Sequence, residues 1–234
     1  DPLQRNILKR IFMTLSNSKN FNSIESLNQF VLDLLLQTIN DNPKASILLS
    51  GGSTPKEIYS SFGSLPQQSK LCTFIPSDER RVPTVDPLSN EGMIRKYLNT
   101  YNQDQILSLH DLSLPSKLNE IASHDLAILG MGTDGHFASI FPFMSNLDAA
   151  IDSTDPVIRV DSGYPEVPRI TLSLNEILKS KKMVLLITGQ EKVDLLKTKR
   201  DNASSLPIDA LIEKADNLEI CLLYTSDAAD DSGC

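Results

Sequence analysis

Short apolar runs alternate along this chain with segments whose apolar positions recur at three- and four-residue steps. The runs at 45–49, 71–75, 126–129, 183–189 and 218–224 are short, and apolar enough for strands buried on both faces. Briefer strands are predicted at 157–160 and within PRITLSL (168–174), and an edge strand at 8–15. From Ser23 the pattern turns helical, with Ile24, Leu27, Val31, Leu34, Leu35 and then Thr38 or Ile39 sharing one face. Ser23 is placed to cap that helix, and Asn42-Pro43 to end it. Further helices are expected at 56–62, with Pro55 in the first turn, and at 89–98, capped by Ser89 or Asn90. Others follow around 117–121, within 143–156, at 175–180, at 190–197 and from 206. Strands alternating with helices, joined by connections long enough for crossovers, predict an α/β fold: a doubly wound, mostly parallel sheet with helices on both faces.

Composition narrows the class without altering that picture. The chain has 234 residues, 40% of them hydrophobic and 22% charged, enough for a real core in an ordinary globular protein. No stretch rich in Gly, Ser or Pro divides it, so residues 1–222 read as one domain. Residues 223–234 read as an acidic, small-residue tail without function. A formal net charge of −8 argues against a nucleic-acid binder. Asp33 interrupts the longest apolar candidate for a membrane span. Cys72, Cys221 and Cys234 are odd in number and widely spaced, the usage of a reducing compartment, so cytoplasm is expected. No grouping of His, Cys and carboxylates has metal-ligand spacing, and His110 and His124 read as surface or capping residues.

Chemistry concentrates at strand ends, where open α/β sheets keep their ligands. The run 126–129 leads into glycines 130, 132 and 135, with Asp134 and His136 among them, and then a helix-like segment at 137–140 that Pro142 stops. SGGSTP (50–55) offers backbone N–H groups at Gly51 and Gly52, hydroxyls at Ser53 and Thr54, and a helix N-terminus, a set suited to phosphate. It lacks the spacing of a nucleotide-binding P-loop. SDERRVP (77–83) ends another strand. Asp78 there could act as a base or orient a hydroxyl, and Arg80 or Arg81 could hold an anion bidentately. Arg169 and Lys192 add single cations, and Lys192 sits in a first helical turn, where a cation is unfavourable unless an anion is bound.

With GMGTDGHFASIFP, SGGSTP, SDERRVP, PRITLSL and TGQEK in this order, residues 20–222 resemble the 6-phosphogluconolactonases, within the superfamily that includes glucosamine-6-phosphate deaminase/isomerase. SDERRVP followed by SN-x-G-M is the lactonase-like form. Phe137 departs from the smaller residue common after the histidine, which bears on pocket shape. The resemblance implies hydrolysis of 6-phospho-D-glucono-1,5-lactone to 6-phospho-D-gluconate, with a small-molecule substrate, no cofactor, no metal, and a monomer or weak homo-oligomer. It implies His136 as general acid/base, Asp134 as its orienting carboxylate, and N–H groups of the loop holding Gly130 and Gly132 as oxyanion donors. Gly51, Gly52, Ser53, Thr54, Arg169 and Lys192 would bind the 6-phosphate, with Asp78 and Arg80 on the sugar side. The rivals are an isomerase or deaminase of glucosamine 6-phosphate, using Asp78 to remove a C2 proton, and a non-catalytic sugar-phosphate binder.

Overall fold

Two sheets organise the chain in its computed structural model, which describes residues 10, 13–66, 71–161, 163, 165–198 and 206–223. The larger has six parallel strands, β1 (Lys19–Phe21), β2 (Ser46–Leu49), β3 (Thr73–Pro76), β5 (Leu126–Gly130), β8 (Met183–Thr188) and β9 (Leu218–Leu223), in the order β1-β9-β8-β5-β2-β3. The smaller is antiparallel: β4 (Asp78–Arg80), β7 (Arg169–Leu172) and β6 (Val157–Val160), in the order β4-β7-β6.

Side chains of the parallel strands alternate between two apolar layers, as the period of two requires. Ile47, Leu49, Leu126, Ile128, Val184 and Leu186 face one layer, which α1 (Ile24–Asp41), α2 (Ser53–Ser64) and α3 (Asn90–Tyr97) cover through Leu27, Val31, Ile58, Phe62 and Ile94. Leu48, Ala127, Leu129, Leu185 and Ile187 face the other. There lie α4 (Leu114–Glu120), α5 (Leu147–Asp152), α6 (Leu174–Ile177), α7 (Gln190–Lys197) and α8 (Pro207–Lys214), together with Ile158, Val160, Ile170 and Leu172 of the small sheet. The parallel doubly wound sheet is as expected, while one of its faces is shared between helices and a second sheet. That sheet exists because SDERRVP, expected as a charged strand exit, itself pairs as β4, with Asp78 opposite Thr171 and Arg80 opposite Arg169.

Several local expectations fail for identifiable reasons. The edge strand predicted at 8–15 is helical at Arg10 and at 13–16, and the true edge strand, β1, lies further along. Arg10 there donates to the carbonyls of Ile212 and Ala215 at the end of α8, which places its segment against that helix. The helix predicted at 137–140 is a tight turn. Phe137 and Ile140 bridge antiparallel, and Ala138 has φ 48°, which a right-handed helix cannot contain. Leu223, placed in the tail at 223–234, pairs with Thr188 as the last residue of β9, and the remainder lies outside the described residues. Among the described residues no helix is long and apolar enough to cross a membrane.

His110 is exposed as expected, but His124 is neither on the surface nor a cap. It is fully buried, with Nδ1 2.8 Å from Ser46 Oγ and Nε2 3.0 Å from Glu176 Oε1. Glu176 also meets Lys179 at 2.8 Å. This network ties β2 to α6 at the end of the sheet where β2 begins, and its members lie too far apart in sequence to be read as a group. Replacing His124 by alanine strips a buried carboxylate of one partner, so His124→Ala should lower unfolding free energy by about 3 kcal/mol in urea titrations.

Candidate active site

A cavity of about 240 Å³ opens at the carboxyl ends of β2, β5 and β8. After β2 the chain crosses outward to β3, and it then returns to β5 on the other side of β2, so β2 and β5 flank the point where strand order reverses. Gly51, Gly52, Ser53, Thr54, Asp78, Arg80, Gly130, Gly132, His136, Arg169 and Lys192 all line this cavity, although their segments are scattered along the chain. Asp134 stands one step behind, against His136.

Two helices begin at the cavity, α2 after Gly52 and α7 after Gly189. Both glycines have positive φ, 102° and 94°, and neither helix has a side-chain cap on its first N–H groups. Those donors and the positive helix ends are therefore available to an anion. Thr54 Oγ1 and Thr188 Oγ1, 3.4 Å apart, join the two loops. Gly51 leaves room for no side chain: a Cβ there would sit 2.0 Å from Asn90 Oδ1.

The cations gather against the global charge. Arg80 and Arg169 face each other across β4 and β7, an opposition of like charges that costs stability unless something negative lies between them. Burial pulls the Arg169 guanidinium below its ordinary pKa, and the Arg80 charge pulls it further, with Asp78 and Glu79 partly offsetting both. Burial likewise lowers the Lys192 ammonium, with partial relief from Glu191. Arg80 donates through Nη1 to Asn90 Oδ1 and the Leu88 carbonyl, while its buried Nε has no partner among the described residues. Of the two arginines left open by the sequence, Arg80 lines the cavity, whereas Arg81 is exposed and does not line it.

The two acids of SDERRVP separate. Glu79 turns to the start of α3, where its carboxylate accepts from Ser89 Oγ and from the backbone N–H groups of Asn90 and Glu91 at 2.7–2.8 Å. Asp78 borders the cavity, buried, and accepts from Ser139 Oγ at 2.5 Å, Asn90 Nδ2 at 3.2 Å and Ser77 Oγ at 3.3 Å. With three donors already on it, this carboxylate is better suited to fixing a hydroxyl than to taking a proton.

His136 is fixed from one side. Its Nδ1 is 2.5 Å from Asp134 Oδ1, which also accepts from the His136 backbone N–H at 3.2 Å. Partial burial pulls the Asp134 carboxyl upward, but the hydrogen bonds and charge of His136 outweigh it and hold the group below the ordinary carboxylate range. An ionised carboxylate only accepts, so in the neutral ring the proton belongs on Nδ1 and the lone pair on Nε2. Gly132 closes the remaining space: a Cβ would lie 2.2 Å from both Nδ1 and Cε1 of His136. Two of the loop N–H groups expected as oxyanion donors are occupied within the loop, Gly132 by the His136 carbonyl and Gly135 by that of Gly132. Phe137, expected to shape the pocket, is fully buried in the core and does not line the cavity.

Asn90, Ser50 and Ser139 belong to this site and were not anticipated. Asn90 stands in SN-x-G-M, legible only as a helix start. Its contacts with Arg80, Asp78 and Gly51 exist because β4 and α3 pack together. Ser50 and Ser139 carried no signal beyond membership in their motifs.

The family model for glucosamine-6-phosphate isomerases/6-phosphogluconolactonase matches residues 18–220. A 6-phosphogluconolactonase of Thermotoga maritima is 36% identical over 171 residues, covering 68% of this chain and 76% of its own. One of Caulobacter vibrioides is 30% identical over 190 residues, covering 75% and 81%. In fold, the chain is similar to the crystal structure of a 6-phosphogluconolactonase from Shewanella baltica, with TM-score 0.77, 23% identity, and coverage of 88% of this chain and 97% of that one. The chain belongs to the glucosamine-6-phosphate isomerase/6-phosphogluconolactonase family. The packing of Gly132 on the imidazole supplies a test: Gly132→Ala should leave the protein folded but reduce turnover by about 10²-fold, as a roughly 1 Å displacement of a reacting group does.

Proposed function

We propose that this chain hydrolyses 6-phospho-D-glucono-1,5-lactone to 6-phospho-D-gluconate, the second step of the oxidative pentose phosphate pathway, with His136 as the general base. The observation that carries the proposal is one cavity holding both a histidine with its Nδ1 engaged by Asp134 and three cations beside two uncapped helix starts. Relatives at 30–36% identity bear the name of that enzyme.

A lactone is an activated ester, so water needs only a base of near-neutral strength to attack C1. His136 Nε2 takes one proton from that water as the new C–O bond forms and the carbonyl oxygen becomes an oxyanion. Collapse of the tetrahedral intermediate breaks the bond from C1 to the ring oxygen, and the imidazolium returns the proton to that oxygen. Asp134 stabilises the imidazolium formed between the two steps. The 6-phosphate docks on the N–H groups of Gly52, Ser53 and Thr54 with Arg169 and Lys192, while Asp78 and Arg80 meet the sugar side. No covalent nucleophile or cofactor enters this chemistry. The buried free thiol of Cys221 suits the cytoplasm.

The isomerase or deaminase alternative asks Asp78 to abstract a C2 proton, and the three donors on Asp78 disfavour that role. With lactone generated in situ, the wild type should outpace spontaneous hydrolysis, and His136→Ala should lose about 10²-fold or more of that rate. Folded protein that fails to accelerate the reaction, yet releases ammonia from glucosamine 6-phosphate, would overturn the proposal. Lys192→Met should raise KM for the phosphorylated lactone at least tenfold, with a smaller change in kcat, in initial-rate measurements.

A further inference from the structure

Phe141 takes no part in the chemistry above, yet its ring touches both halves of the site. The ring is buried, and its centroid lies 4.5 Å from that of the His136 imidazole at an interplanar angle of 43°. The Arg169 guanidinium carbon lies 5.4 Å from the same centroid, within cation–π range. Gly163 closes over this arrangement: a Cβ there would approach Phe141 Cε2 and Cζ at 2.8 Å and Arg169 Nε at 2.6 Å. Outside it Phe143, largely exposed, stacks on Phe141 with centroids 5.2 Å apart, and Met144 Sδ accepts from the Phe141 backbone N–H at 3.3 Å.

The backbone turn is what makes this contact. Residues 136 and 141 are five apart, and on a helix they would point roughly 140° away from each other. The bridge between Phe137 and Ile140, with Ala138 in the left-handed region, folds the chain back so that the two rings lie side by side. Elsewhere in the molecule, the groove beside Arg10 and the exposed Val85 and Leu112 have nothing to indicate an occupant.

We propose that Phe141 is a positioning residue that couples the base to the anion clamp: one rigid ring sets the orientation of His136 and the location of Arg169 together. The proposal rests on the lactonase chemistry above. The ring's π-system also favours a cation beside it, both the guanidinium and the imidazolium that forms transiently after water gives up its proton. A residue of similar bulk without a π-face would fill the space but couple nothing.

The test is steady-state kinetics of Phe141→Met and Phe141→Leu, with 6-phosphogluconolactone and the unphosphorylated glucono-1,5-lactone as paired substrates and thermal melts as a check on folding. Both variants should lower kcat about tenfold or more through His136 and raise KM for the phosphorylated lactone through Arg169. The preference for phosphorylated over plain lactone should therefore shrink, a change that general loosening of the fold does not produce. In an Arg169→Met background, Phe141→Met should reduce that preference no further. Folded variants with unaltered kcat and unaltered preference would overturn the proposal, as would an additive effect in the double variant. A wild type inactive on the phosphorylated lactone would instead remove the lactonase chemistry itself, so the two failures are distinguishable.

Discussion

The site depends on the contact between Asp134 and His136. These residues are two apart in a loop, where side chains do not meet by default. The loop glycines make the meeting unavoidable, since Gly135 takes positive φ and Gly132 offers its bare face to the imidazole. A carboxylate held below its ordinary range fixes the proton of the neutral ring on Nδ1, which leaves the lone pair to Nε2. Reversing that tautomer would put the proton on Nε2, the nitrogen through which we propose that His136 takes a proton from water.

Around that pair the fold assembles charges that would not otherwise stay together. The reversal of strand order between β2 and β5 opens the cavity, and the helix starts after Gly52 and Gly189 supply N–H donors. The small sheet places Arg80 directly against Arg169. Such an opposition is a local cost in stability, which the Asp78 and Glu79 charges partly offset, while Asn90 holds Arg80 and the Phe141 ring lies against Arg169. A protein of net charge −8 thereby gathers Arg80, Arg169 and Lys192 in one cavity, the local field that the proposed anionic substrate requires.

Much of this was legible because it is local. Buried strands announce themselves as apolar runs, and Ser23 and Asn42 bracket α1 as their chemistry requires. The Gly-rich strand exits and the order of the motifs pointed to the cavity residues. What stayed hidden depends on long-range pairing. Three charged residues of SDERRVP look like solvated turn until β7 is beside them. His124 looks superficial until Ser46 and Glu176, distant in sequence, enclose it. The 137–140 segment reads from the sequence as helix-like and stopped by Pro142, whereas the bridge between Phe137 and Ile140, with Ala138 in the left-handed region, folds it into a tight turn.

The most direct measurement is the protonation pattern of the His136 ring, read from its nitrogen chemical shifts by NMR in folded wild-type protein under conditions where the imidazole is neutral. The account predicts a proton on Nδ1, shared toward Asp134, and an unprotonated Nε2. A neutral ring carrying its proton on Nε2 would contradict it, because the nitrogen assigned to accept the water proton would already hold one.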